Sequence, residues 1–240
     1  MKNAILSLAT VVAVTALPSV AQAELSFNVG AVTDYRYRGI SQTRLKPAIQ
    51  GGIDYSIGGF YVGTWASSIK WIKDAGGNAD AEVDFYGGYK GEIAKDLGYD
   101  VGVLRYQYFG HDLAVSPNTT EVYGALTFGP ATLKYSHSVT NLFGFSDSKN
   151  SSYIDLSAGF EVGGGVTLTP HIGYQKVRNN GDFSYTDYSI TASKDFSGLT
   201  VSLGAVYADV KKPGGSPAYI GPNGKNLGKA GVVLGVKYAF

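Results

Sequence analysis

Hydrophobic residues occupy every second position along most of the chain after residue 24. In the first such segment Leu25, Phe27 and Val29 alternate with polar or small residues, and the pattern extends to Arg38. Because alternate side chains of a β-strand point to opposite faces, a segment of this kind has one apolar face and one polar face. The segment 25–38 is longer than an ordinary strand, which has roughly five or six residues. It is long enough to cross a bilayer, for which a strand needs about 9–11 residues. The pattern therefore predicts a membrane-spanning strand.

The same alternation recurs throughout the chain. It is clear at residues 49–57, 82–89, 121–128, 133–139, 153–160, 166–177, 185–194, 199–210 and 231–240. Two further segments, 60–69 and 99–109, are apolar on both faces in places, so the sequence does not orient them. Counting all segments gives about twelve strands, an even number, as single-chain bacterial outer-membrane barrels have.

The connections between these segments alternate in length. Short turns are expected at residues 58–59, 91–97, 129–130, 163–165 and 195–198, and longer polar connections at 40–46, 70–80, 110–118, 141–151, 178–184 and 211–228. Short periplasmic turns and longer external loops are typical of outer-membrane barrels. The predicted fold class is therefore all-β, a transmembrane antiparallel up-and-down β-barrel of about twelve strands with both termini on the periplasmic side.

The N-terminus has the pattern of a secretory signal peptide. Lys2 gives a positive start, residues 4–17 are mostly apolar, and an A-x-A site ends at Ala23. We expect residues 1–23 to be the signal peptide and residues 24–240 the barrel, with cleavage between Ala23 and Glu24. A buried helix or a membrane anchor is the alternative, but the apolar stretch is short for an anchor of about 20 residues. Export indicates the outer membrane of a Gram-negative cell.

The last predicted strand ends on Tyr238 and Phe240, both on its apolar face. An aromatic final residue on an alternating strand resembles the C-terminal signal that outer-membrane barrels present to their assembly machinery. The last strand must also pair with the first, since an open sheet edge in lipid leaves backbone groups without hydrogen bonds. Outer-membrane lipid and the barrel assembly machinery are accordingly the expected partners.

Composition narrows the possible functions. The chain has 33 Gly, 18 Tyr and 11 Phe but no Cys, which excludes disulfides and thiol chemistry. Its 20 basic and 19 acidic residues give a net charge of +1, so the sequence has no basic footprint for nucleic acid. Asp147 and Asp182 lack the spacing of a calcium loop, and no metal site or cofactor is predicted.

Four blocks in the first part of the chain resemble the TorF-type porin family of proteobacteria. They read TDYRYRGISQT at residues 33–43, PAIQGGIDY at 47–55, GFYVGTWAS at 59–67 and EVDFYGGY at 82–89. Together they cover about a third of the part that follows the signal peptide. The resemblance implies a porin-like outer-membrane barrel, and it brings neither a substrate nor catalytic residues.

Charged residues on the polar faces are the candidate lining of the lumen. They are Asp34, Arg36, Arg38, Asp54, Glu82, Asp84, Arg105, Glu121, Lys134 and Asp155, with Asp187 and Lys237 beside them. A ring of one sign would give ion selectivity. Because both signs are present, we expect a channel for passive diffusion of small polar solutes with weak charge selectivity. The same residues could instead bridge neighbouring strands structurally.

Two other function classes remain as alternatives. A closed structural or adhesive barrel would act through its external loops, of which residues 219–228 form a glycine-rich part. A barrel enzyme would need a histidine beside a nucleophile and a carboxylate. His111, His137 and His171 lack such partners at a recognisable spacing, so we do not expect an enzyme.

Overall fold

The computed structural model describes residues 23–240. Residues 1–22, which belong to the predicted signal peptide, lie outside the described part, so the signal peptide remains a prediction. The strands are β1 (Glu24–Val32), β2 (Arg36–Tyr37), β3 (Ile40–Ser41), β4 (Ala48–Ile57), β5 (Phe60–Ser68), β6 (Ala81–Ala94), β7 (Leu97–Gln107), β8 (Thr119–Phe128), β9 (Ala131–Ser138), β10 (Ser152–Ala158), β11 (Phe160–Glu161), β12 (Val166–Lys176), β13 (Tyr185–Phe196), β14 (Leu199–Asp209) and β15 (Gly231–Ala239). One helical turn, α1 (Trp71–Asp74), and two 3-10 turns, Gly181–Phe183 and Pro213–Gly215, lie in the connections. Among residues 23–240 there is no helix long and apolar enough to cross a membrane.

The wall is a closed antiparallel barrel. Thirteen strands form one hydrogen-bonded sheet, and β10 and β11 both pair with β12, so they occupy one position interrupted at Gly159. The pairing of β1 with β15 closes the ring and leaves twelve barrel strands. Strands β2 and β3 pair only with each other, as a separate hairpin. The predicted fold class is confirmed.

The two ends of the barrel differ as predicted. Five short turns, at residues 58–59, 95–96, 129–130, 162–165 and 197–198, lie at the end that carries both termini, here called the turn end. Six long connections, at residues 33–47, 69–80, 108–118, 139–151, 177–184 and 210–230, lie at the opposite loop end. The chain therefore traces an up-and-down barrel with short turns on one side only.

The prediction that the first strand continues to Arg38 is wrong. Strand β1 ends at Val32, and residues 33–47, here called the inner hairpin, leave the wall and fold into the lumen. The backbone reverses at Arg38 and Gly39, which have φ of 45° and 79°. Alternation continues through these residues, but their polar side chains pair with one another and with distant strands instead of lining a wall strand.

Alternation along the wall strands separates the two faces. The outward face carries exposed apolar side chains, such as Ile49 and Ile53 on β4. The two segments that the sequence left unoriented also alternate: Phe60 and Val62 point outward from β5, whereas Trp65 packs into the lumen. An apolar outer belt around a closed sheet suits a lipid environment.

Tyrosine rings lying over glycines explain part of the unusual composition. Tyr61 of β5 pairs across the strands with Gly88 of β6, and a Cβ at Gly88 would lie 2.4 Å from the tyrosine Oη. Tyr123 lies over Gly102 in the same way, with 2.5 Å between the added Cβ and its Oη. The absence of a side chain at these glycines leaves room for rings that point into the barrel.

The apolar core lies at the loop end and is formed largely inside the barrel. One cluster joins the inner hairpin to the loops after β5, β7 and β9; its buried members include Tyr35, Ile69, Ile72, Tyr106 and Tyr108. A second cluster joins Ile40 of the hairpin to the last long loop and strands β13 and β14. The loop end is therefore packed like a globular protein, while the turn end remains polar inside.

Candidate functional site in the lumen

The inner hairpin is folded by a network around Asp34. This carboxylate accepts hydrogen bonds from Arg36 Nε at 2.5 Å, Ser41 Oγ at 2.5 Å and Thr43 Oγ1 at 3.2 Å. The backbone N–H of Gln42 donates to the carbonyl of Tyr35 at 2.8 Å. One buried acid thus satisfies three donors from both arms of the hairpin, which accounts for the departure from the strand path after Val32.

Arg38, at the tip of the inner hairpin, crosses the lumen to the opposite wall. Its guanidinium donates to both carboxylate oxygens of Glu121 on β8, at 2.7 and 3.0 Å, and to Gln175 Oε1 on β12 at 2.7 Å. It also lies 4.1 Å from the ring centroid of Tyr153 on β10. Bidentate pairing of this kind fixes both direction and distance.

Gly39, the residue after Arg38, brings the hairpin against strands β13 and β14 of the wall. A Cβ at Gly39 would lie 2.8 Å from Asp187 Cβ and 3.0 Å from Ala208 Cβ. Arg36 extends the attachment, because it donates to the carbonyls of Leu227 and Lys229 in the last long loop, at 2.9 and 3.1 Å. The hairpin is therefore held on several sides and narrows the barrel to a constriction.

Further carboxylates point into the constriction from the wall. Glu82 on β6 accepts hydrogen bonds from the hydroxyls of Tyr35 and Tyr108, both at 2.6 Å. Asp187 on β13 accepts from Tyr153 at 3.0 Å and lies 3.6 Å from His171 Nδ1.

Below the constriction, toward the turn end, the lumen is a polar vestibule. Tyr86 donates to Asp54 at 2.5 Å and Tyr61 donates to Asp100 at 2.6 Å. Lys134 Nζ lies 4.0 Å from the ring centroid of Tyr123. Side chains of both signs thus remain half-buried here, without an apolar core around them.

The structure places the candidate lining residues in three different settings. Asp34, Arg36 and Arg38 lie in the inner hairpin. Six others point into the lumen from wall strands: Asp54, Glu82, Asp84, Glu121, Lys134 and Asp155. Arg105 is a correction: it shares the outward direction of Val101 and Val103 on β7 and donates to Thr120 Oγ1 at 2.9 Å, so it lies on the outer face. The segment that contains Arg105, residues 99–109, is apolar on both faces in places, so the sequence did not orient it.

The three histidines are not brought together. His137 lies on the outer face between Tyr135 and Asn150, His111 lies in a loop, and His171 points inward toward Tyr153 at 3.2 Å. Sequence reasoning missed the tyrosines that donate to the lumen acids. Their signal was available, since several tyrosines fall on the polar face of the alternation.

Two ion pairs hold α1, one to the inner hairpin and one to the residue before β6. Arg44 pairs with Asp74, and Lys73 Nζ donates to Asp80 at 2.9 Å. The bond from Lys73 lowers the pKa of the Asp80 carboxyl below its ordinary value. The pair of Lys73 and Asp80 is exposed and the pair of Arg44 and Asp74 is partly buried, and both are separate from the buried network around Arg38.

Comparison with known proteins gives a family and a fold. The model of a family described as "Bacterial protein of unknown function (Gcw_chp)" matches residues 18–240. No curated protein matches the chain. The structure is similar to that of the KdgM porin, described as in complex with disordered oligogalacturonate, with a TM-score of 0.57, 8% identity, and coverage of 90% of this chain and 99% of that one. It is also similar to the NanC porin, with a TM-score of 0.54, 11% identity, and 90% of this chain covered. At these identities the likeness shows a shared barrel fold.

Proposed function

The chain belongs to the Gcw_chp family of bacterial proteins, and on that premise we propose that it is an outer-membrane channel of the porin type for passive diffusion of small polar solutes. The resemblance of residues 33–43 to the TorF-type porins agrees with this proposal. So does the predicted signal peptide, which would bring the chain to the outer membrane. The apolar outer belt would contact outer-membrane lipid, and Tyr238 and Phe240 at the turn end would serve recognition by the barrel assembly machinery.

The polar vestibule is the observation that carries the proposal. About twelve strands fall between the eight whose interior side chains can fill and the sixteen or more that leave a wide channel. Here the turn-end half of the lumen is lined by Asp54, Asp100, Lys134 and Asp155 rather than by apolar side chains. A polar passage that leads from the turn end to the inner hairpin suits the diffusion of hydrated solutes. Because both signs line it, the sequence-based expectation of weak selectivity applies to the vestibule.

The inner hairpin would set the width of the channel. Its tip is held by an ion pair and hydrogen bonds to Glu121 and Gln175, and such polar contacts can exchange with water more readily than apolar packing. We therefore place the control of conductance at Arg38. The hairpin itself is not part of the barrel wall, so its displacement leaves the wall pairing intact.

Conductance of the refolded chain 24–240 in planar bilayers tests the proposal. We expect stepwise channels, and Arg38→Gln should raise the open time or the unit conductance. Arg44→Gln is the matched control, because it removes the same charge from the same hairpin, breaks the partly buried pair with Asp74 and leaves the contacts of Arg38 in place. Heat-modifiable migration on gels confirms that each variant is folded. Silence of both the wild type and Arg38→Gln would refute the channel.

A closed barrel that acts through its external loops is the second candidate. The two apolar clusters at the loop end favour it, because they join the inner hairpin to several loops as a packed plug. In that case the wild type and Arg38→Gln would both be folded and would both show no conductance in bilayers. We do not propose an enzyme: His171 lies beside the Asp187 carboxylate and the Tyr153 hydroxyl, but among residues 23–240 it makes no hydrogen bond to a serine or threonine.

A further inference from the structure

The charges at the constriction do not balance. Five carboxylates are buried there: Asp34, Glu82, Asp84, Glu121 and Asp187. Among residues 23–240 two buried guanidiniums face them, and each is already matched: Arg36 with Asp34 and Arg38 with Glu121. Five acids against two guanidiniums leave three carboxylates to be stabilised in another way.

Two of the remaining carboxylates have their own donors. Glu82 accepts two tyrosine hydroxyls, one at each oxygen, and Asp187 accepts a tyrosine hydroxyl and lies near the ring of His171. Asp84 differs from both. Its exposed fraction is 1%, and no protein group among residues 23–240 donates a hydrogen bond to either of its oxygens. A buried carboxylate without a partner is costly, so Asp84 either takes up a proton or binds a positive group.

The neighbours of Asp84 indicate what kind of positive group would fit. In the strand register Asp84 lies opposite Trp65 on β5 and opposite Tyr106 on β7. Directly opposed side chains have Cβ atoms about 4.5–5.5 Å apart, so the Asp84 side chain leaves the wall between these two aromatic residues. Aromatic faces attract cations and favour ammonium groups.

A divalent metal ion suits this place less well. Residues 23–240 contain no group of three or more His, Cys, Asp or Glu side chains that could hold one. Calcium and magnesium take six or more oxygen ligands in all, and aromatic rings supply none. The chemistry beside Asp84 is therefore that of a monovalent cation, with an organic ammonium group as the best match.

We propose that the constriction binds a monovalent cation of the ammonium class at Asp84, between Trp65 and Tyr106, and that the channel therefore passes cations in preference to anions. This inference rests on the proposed channel for its transport part, whereas the binding part stands without it. It replaces weak selectivity with cation selectivity at the constriction. The vestibule, which carries both signs, only leads to this site.

Transport is tested by the reversal potential under a potassium chloride gradient. We expect the wild type to favour potassium over chloride and Asp84→Asn to shift the reversal potential toward zero. Asp96→Asn is the matched control, because it removes the same charge from the exposed turn between β6 and β7 and should leave the reversal potential unchanged. Equal selectivity in the wild type and Asp84→Asn would overturn the transport part. Asp84→Glu, which keeps the charge, should retain selectivity.

Binding is tested without any current. The chain has two tryptophans, so Trp71→Phe leaves Trp65 beside Asp84 as the sole reporter. Titration of this variant in detergent with tetramethylammonium chloride should change the Trp65 emission with saturation, and adding Asp84→Asn should abolish the change. A parallel titration with potassium chloride at equal ionic strength separates the two kinds of site: a site for organic ammonium responds to tetramethylammonium alone, and a general cation site responds to both salts. A saturable response to either salt supports a cation site at Asp84.

The two proposals fail in distinguishable ways. A silent barrel with a saturable, Asp84-dependent response refutes the channel and keeps the cation site. Conducting channels without a Trp65 response, at neutral and at alkaline pH alike, refute the site and keep the channel. The titration at alkaline pH controls for protonation of the Asp84 carboxyl.

Discussion

Replacing Glu121 with glutamine leaves the guanidinium of Arg38 buried without its counter-ion. Arg38 and Glu121 are both nearly inaccessible, with side-chain exposures of 8% and 1%, and they share two hydrogen bonds. Removing one partner of a buried pair typically costs about 3–5 kcal/mol, because the other charge remains uncompensated. We therefore expect Glu121→Gln and Arg38→Gln each to weaken the attachment of the inner hairpin by about that amount. Since about 1.4 kcal/mol is a tenfold change, the released population should rise more than a hundredfold.

The double variant Arg38→Gln/Glu121→Gln should recover much of this loss. Two amides can hydrogen-bond across the same gap without a buried charge. What remains lost is mainly the interaction of the guanidinium with the Tyr153 ring, about 0.5–2 kcal/mol. Since the two single losses are each at least about 3 kcal/mol and the double loss is at most about 2 kcal/mol, the coupling energy in the double-mutant cycle should be at least about 4 kcal/mol, above the usual range for residues in contact.

Tryptophan fluorescence during denaturant titration reports on the release of the inner hairpin in each protein of the double-mutant cycle. Trp65 lies against Tyr35 of the inner hairpin, with ring centroids 5.4 Å apart, and the backbone N–H of Trp71 donates to the carbonyl of Gln42 in the same hairpin at 3.3 Å. Release of the hairpin should therefore change their emission before the barrel strands separate, and this early transition should move to lower denaturant in the single variants. The pair of Lys73 and Asp80 provides the comparison, since exposed ion pairs contribute about 0–1 kcal/mol. An early transition that is identical in all four proteins of the cycle would refute the idea that this ion pair holds the hairpin.

Two further predictions concern the wall. Gly88→Ala places a Cβ 2.5 Å from the carbonyl oxygen of Val101 and against the ring of Tyr61. We therefore expect a loss of about 1–3 kcal/mol in folding stability and a lower temperature of heat modification. Gly124→Ala is the control, because its Cβ would meet only a side-chain methyl at 4.0 Å and should be neutral. Ile190→Lys puts a charge on the outward face near the middle of β13 and should cost about 2–4 kcal/mol in folding assays in lipid vesicles. Ser189→Lys, which points into the lumen, should be tolerated better, and equal losses at the two positions would contradict the assigned faces.

The sequence by itself determined the barrel. The period of two is a local property of strands, and each strand has to present one apolar face to lipid, so the alternation and the connection lengths were sufficient for the strand count and the two unlike ends. Inward directions of Asp54, Glu82 and Glu121 followed from the same period. None of these inferences needed a contact between distant residues.

Only the tertiary structure decided what fills the lumen. The same alternation runs through residues 33–38, yet they leave the wall, because Arg38 finds Glu121 and Gln175, which lie 83 and 137 residues further along the chain. Arg105 shows the converse: its strand is apolar on both faces, so the period did not orient it, and the register with β8 placed it outside. The lone position of Asp84 likewise depends on which donors the fold brings near each acid. Pairing among buried charges is set by contacts across the barrel, and a local pattern does not contain them.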